Sequence, residues 1–185
     1  MTDPILDSLQ RRMHAMHSLY YDAVDTMTID HVNHFEREGV VPIAFCLFHI
    51  TNMIDASFLA MTGTPPIWND DRAAKVNMTI NDHGKHRTVD EMVNQRMGDY
   101  DAFKEYMRAV FTRTEDWLDQ LDPAELSRVV VTRPFPPHIA STYSARVADP
   151  RASRSSTRPS AGSTSTGCVT WERSSSPAAS WACRG

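Results

Sequence analysis

Histidine dominates the side chains of this sequence that could do chemistry: there are eight, against three cysteines. Imidazole is the commonest protein ligand for transition metals, and it titrates near neutral pH. One of the eight, His49, sits near the middle of a long apolar run, VPIAFCLFHITNMIDASFLAMTG, from Val41 to Gly63. That position makes it the first candidate metal ligand. A closed metal site takes three or four protein donors, so by itself His49 reads as a neutral core histidine satisfied by one buried hydrogen bond. His14 and His17 stand three apart, as do His31 and His34, a spacing that can share a metal. The first pair follows Gln10, Arg11 and Arg12 and is expected on a solvated helix edge; the second lies in a polar connection with no acidic or cysteine partner placed to complete a site. His83 and His86 straddle Gly84 in a polar loop, and loop donors such as these, or His138, are poorly preorganised. Cys46, Cys168 and Cys183 show neither CxxC nor finger spacing, which argues against a zinc module and a disulfide framework.

The elements that must position His49 are helices. Pro42 suits a first helical turn, and Gly63 followed by Pro65 and Pro66 makes a stop, so the run is expected to be a helix over 42–62 with His49, Phe45, Cys46, Met53 and Ala56 on one inward face, and Asn52 and Asp55 within a turn or two along the same side. Before it, Asp3 and Pro4 open a helix over 4–27, whose stripe is Ile5, Leu9, Met13, Met16, Tyr20, Val24 and Met27. After it, residues 64–87 read as a long polar loop. Thr88 with Glu91 forms a capping box for a short helix through Met97. Asp99 or Asp101 then opens a helix to Leu121 with the stripe Phe103, Met107, Val110, Phe111, Trp117, Leu118 and Leu121, more in keeping with a bundle core than with a cofactor site.

Composition fits one ordinary domain, with 41% hydrophobic and 23% charged residues in 185, followed by a segment of different character. The domain is assigned to 1–150. From Arg151 to Gly185 there are ten Ser, five Arg, five Ala and four Thr, with no Leu, Ile, Met, Phe or Tyr. Such a tail cannot bury a core and is expected to be disordered. The net charge of −4 argues against general nucleic-acid binding. The apolar run is interrupted by His49, Thr51, Asn52 and Asp55, and the acidic N-terminus lacks a basic flank with a hydrophobic signal core, so a cytoplasmic protein with no membrane span is expected.

The first two long helices resemble the DinB/YfiT-like superfamily, in which a helix with an apolar-His-apolar core and an acid six residues later gives the first ligand of a three-histidine metal site. His49 and Asp55 match those positions. The resemblance implies an all-α, DinB-like four-helix bundle whose last helix supplies the other two ligands as HxxxH. It implies a divalent metal, Zn or Ni, and a transferase or isomerase acting on a small-molecule substrate with a low-molecular-weight thiol.

No HxxxH follows His49 in this sequence. The tail accounts for the gap if it translates a shifted reading frame. Each alternative codon takes its last two bases from the first two bases of a tail codon, and one permitted reading of Arg151 to Gly185 contains QHGLRHLGEIE. Trp171, with its single codon ending in G, forces the glycine of HLGE; where several codons are allowed, this reading takes those that favour the family. The fourth helix is then missing or replaced by the disordered tail, and the chain is an inactive form with His49 as the one remaining ligand. The alternative is a non-catalytic helical binding or dimerisation protein, a possible homodimer, with a structural His49 and a disordered basic arm.

Overall fold

The structure, a computed structural model, describes residues 3–84 and 86–128. His138, Cys168, Cys183, the boundary at 150 and the Ser/Arg-rich tail lie beyond residue 128, outside the described residues.

Among the described residues six helices succeed one another, α1 (Pro4–Thr26), α2 (Ile29–Val32), α3 (Ile43–Thr62), α4 (Asp70–Val76), α5 (Val89–Val93) and α6 (Tyr100–Asp119), before a 3₁₀ turn at Pro123–Ser127. The chain is all-α: among the described residues the one piece of β pairing is an isolated bridge between Met78 and Met97.

Local chemistry explains most of the boundaries. Asp3 accepts from Ile5 N and Leu6 N at 2.8 and 3.1 Å, which starts α1 as expected. Its buried side is Leu6, Leu9, Met13, His17 and Val24, so Leu6 and His17 take the places expected for Ile5 and Met16. α3 begins one residue later than expected, because Pro42 is the extended cap residue at ψ 158° and not part of the first turn. It ends at Gly63, whose φ of 77° is the left-handed geometry that glycine adopts without strain. The Thr88–Glu91 capping box is present, but α5 stops at Val93, four residues short of the expected Met97.

The stretch expected as a polar loop contains a helix instead. The Asn69 side chain caps α4 through Arg72 N at 3.0 Å, Asp70 and Asp71 sit in its first turn and Lys75 in its last, each complementing the helix dipole. Beyond α4 the chain is held by two side-chain amides acting as strand partners. Gln95 accepts from Ile80 N at 2.6 Å and donates to Ile80 O at 3.0 Å, while Asn33 makes the same pair of bonds to Met97, both 2.8 Å. Gln95 is fully buried, so losing either bond would leave a backbone group unsatisfied.

α6 is the central element, packed against α1, α3 and α4. It buries Phe103, Tyr106, Met107, Val110 and Phe111 completely, and each such side chain contributes about 1.5–3 kcal/mol by leaving water. The far ends of α1 and α6 close in a second apolar cluster of Leu6, Leu9, Met13, Leu118 and Leu126. α3 is long and apolar enough to cross a membrane, yet over half of that stretch, 56%, is buried inside this body, which is how the interior helix of a bundle behaves.

Candidate functional site

His49 is not pointed into the centre of the core. On α3 it belongs to a strip with Cys46 and Met53, all half-buried, and the exposed Ala56, rotated away from the Asn52–Asp55 line that meets α6. The turn at residues 82–87 approaches it there. The carbonyl oxygen of His83 pairs with His49 Nδ1, and Phe45 stacks on the imidazole with centroids 5.6 Å apart and planes at 15°. A carbonyl can only accept, so in the neutral ring Nδ1 carries the proton and the in-plane lone pair sits on Nε2. This is the arrangement by which a backbone carbonyl orients a metal-ligating histidine.

The turn that delivers the carbonyl is itself clamped. Asp82 accepts from Gly84 N at 2.8 Å and from Arg87 Nη2 at 2.6 Å, and Arg87 also donates to Glu91 at 3.1 Å. Desolvation opposes ionisation of Asp82, but the bonds from Arg87 and Gly84 outweigh it and hold the carboxyl below its usual range. Gly84 has φ 70°, and a Cβ there would lie 2.6 Å from the Phe45 ring. Gly84→Ala should therefore cost about 1–3 kcal/mol and lift the turn from His49. Thermal melting with amide exchange across 82–87 checks this; a variant with unchanged stability and unchanged protection would contradict it.

Asp55, the acid of the sequence motif, is committed elsewhere. It is completely buried and accepts from Ile67 N (2.9 Å), Trp68 N (2.8 Å), Tyr106 Oη (3.0 Å) and Arg113 Nη2. Arg113 continues to Pro65 O at 3.1 Å and lies over the Phe58 ring at 4.2 Å. Asn52 adds a weak bond to the same tyrosine at 3.4 Å. Burial, followed by the Asp55 charge, pushes the Tyr106 hydroxyl far above its ordinary value, so it stays a donor. Asp55 thus joins α3, α6 and the loop between α3 and α4. The sequence placed it on the His49 side of α3; the structure turns it toward α6.

A family profile for the DinB superfamily matches residues 12–148. The chain belongs to the DinB superfamily. Among solved structures, "Crystal structure of the conserved protein of locus from Enterococcus faecalis" is similar to it at TM-score 0.59, with 17% identity over 70% of this chain and 78% of that one. At that identity the likeness is one of fold. No curated protein matches the chain.

For this DinB-superfamily chain, the donor set can be tested directly. Among the described residues no three His, Cys, Asp or Glu side chains are grouped so as to hold a metal ion. His83 meets His49 through its backbone, and its ring instead packs edge-on against His86 at 5.6 Å. His31 spends Nδ1 on the Thr28 N–H at 3.1 Å as part of the α2 cap, and His34 is exposed. The described residues therefore do not fit a bound divalent ion by themselves, and no catalytic step is assigned to one. Sequence reasoning missed Arg113 and Tyr106 as the partners of Asp55. A carboxylate in an apolar run signals such partners, since buried charges are paired.

Proposed function

We propose that this chain is the body of a metal-dependent DinB-type enzyme, a transferase or isomerase using a low-molecular-weight thiol and a small-molecule substrate, in a form that keeps only His49 of three histidine ligands and is inactive. The supporting observation is the bond between His49 Nδ1 and the His83 carbonyl, which sets the ring as an Nε2 donor beneath a clamped turn. The strip around His49, less buried than the rest of α3, is where the missing helix with HxxxH would lie. In an intact site Zn or Ni would act as a Lewis acid that lowers the pKa of a thiol. The place of action would be the cytoplasm.

Cobalt(II) with a titrated low-molecular-weight thiol tests the reading. A chain carrying the restored QHGLRHLGEIE frame should develop a thiolate-to-cobalt absorption band, and the present chain should not. A restored chain that binds cobalt without that band would remove thiol chemistry, and equal bands in both would contradict the inactive state. A restored chain that takes up no cobalt would favour the non-catalytic binding protein.

A further inference from the structure

We infer that the seam between α1 and α6 is a proton-sensitive latch, closed while the buried His17 imidazole is neutral and bonded to Glu115, and loosened when that ring takes a second proton. His17 was expected at a solvated edge, but it has no exposed surface. Its ring lies flat on Phe111, centroids 3.8 Å apart and planes at 7°, and Nδ1 stands 2.6 Å from Glu115 Oε1. The carboxylate accepts, so Nδ1 carries the proton. Nε2 is buried and meets no hydrogen-bond partner among the described residues.

An unpaired acceptor in that position carries only the penalty of a neutral polar atom, whereas a second N–H would be a buried donor without an acceptor on a ring that also bears a charge. The opposing pull is the attraction of Glu115 for an imidazolium. Burial outweighs the Glu115 hydrogen bond and charge, and His14 adds repulsion, which leaves the His17 pKa below the ordinary imidazole value. His14 also competes for the same acceptor. It is half-exposed, with Nδ1 3.7 Å from Glu115 Oε1 and Nε2 2.9 Å from Asp119. Nearby on α1, Tyr21 has its hydroxyl raised first by burial and then by Glu115, and the Arg108–Asp25 pair at 2.6 Å closes the seam beyond it. The α3–α6 contact is held separately by Arg113 and Asp55, so loosening the seam frees α1 alone.

The sign comes from linkage. With the folded pKa of His17 lowered, the unfolded chain binds more protons just below the ordinary value of 6.5, so stability is complete above about 6.5 and falls as pH drops toward the folded value. Amide exchange of the full chain at pH 7.5 and 5.5, corrected for intrinsic rates, tests the latch. Protection of α1 from Met13 to Val24 should fall by up to about tenfold at the lower pH, the ceiling set by one proton with an open-state pKa of 6.5, with α3 unchanged. His17→Phe should abolish that difference and His14→Gln should keep it. Imidazole nitrogen NMR of the unaltered chain reads the same proton without a variant, and should show His17 neutral, protonated at Nδ1, at pH 7.5. A doubly protonated His17 at that pH, pH-independent α1 protection, or the same pH response in His17→Phe would overturn the inference.

Discussion

Asp55→Ala is expected to bring the chain close to unfolding. The substitution removes the acceptor shared by two backbone N–H groups, the Tyr106 hydroxyl and the Arg113 guanidinium, and leaves them around a hole in the interior. Breaking a buried ion pair from one side costs on the order of 3–5 kcal/mol, because the other charge stays desolvated. A whole domain has only about 5–15 kcal/mol of stability. Asp55→Asn keeps one acceptor oxygen and much of the packing but loses the charge facing Arg113, so it should fall between the two. Urea unfolding monitored by helix signal ranks the three proteins. An alanine variant with the midpoint of the unaltered chain would show that these bonds are not what joins α3 to α6.

Much of the fold was legible because helix ends are local. Asp3, Gly63, Asp99 and the Thr88–Glu91 box each act within a turn or so of chain, and all four stand where their residue types placed them. The α1 stripe was legible in period but slipped near its start and at His17, since choosing between Met16 and His17 requires knowing that Phe111 offers a ring to stack on. α4 was hidden because seven residues are too few to show a periodic stripe; its signal was the cap and charge pattern of Asn69, Asp70, Asp71 and Lys75. Gln95 and Asn33 were illegible altogether, as a side-chain amide replacing a strand partner leaves no pattern in sequence.

At the candidate site, the sequence singled out His49 but misjudged its surroundings. Helical spacing suggested a common face with Asp55, and the true orientation was fixed by Tyr106 and Arg113, more than fifty residues away in the chain. The His83 carbonyl was invisible for a related reason: a backbone oxygen has no residue type, and its approach depends on the tight fit of Gly84 against Phe45.

The second large effect is all or none. With no group of three His, Cys, Asp or Glu donors among the described residues, the chain as it stands should bind divalent ions weakly and without defined stoichiometry. Restoring HxxxH adds two donors one helical turn apart, enough with His49 for a three-histidine site. In the restored chain, His49→Ala should abolish binding. His14→Ala should leave it intact because that ring sits at the α1–α6 seam, and so should His83→Ala, because His83 serves His49 through a backbone carbonyl that alanine keeps.

Elemental analysis after a mild chelator wash is the most direct measurement of the central claim, that His49 is one ligand of an incomplete metal site. The restored chain should retain about one ion per protomer, and both the present chain and the restored His49→Ala variant should retain none. A restored chain without metal, or a His49→Ala variant that holds as much as its parent, would make His49 a core histidine and nothing more.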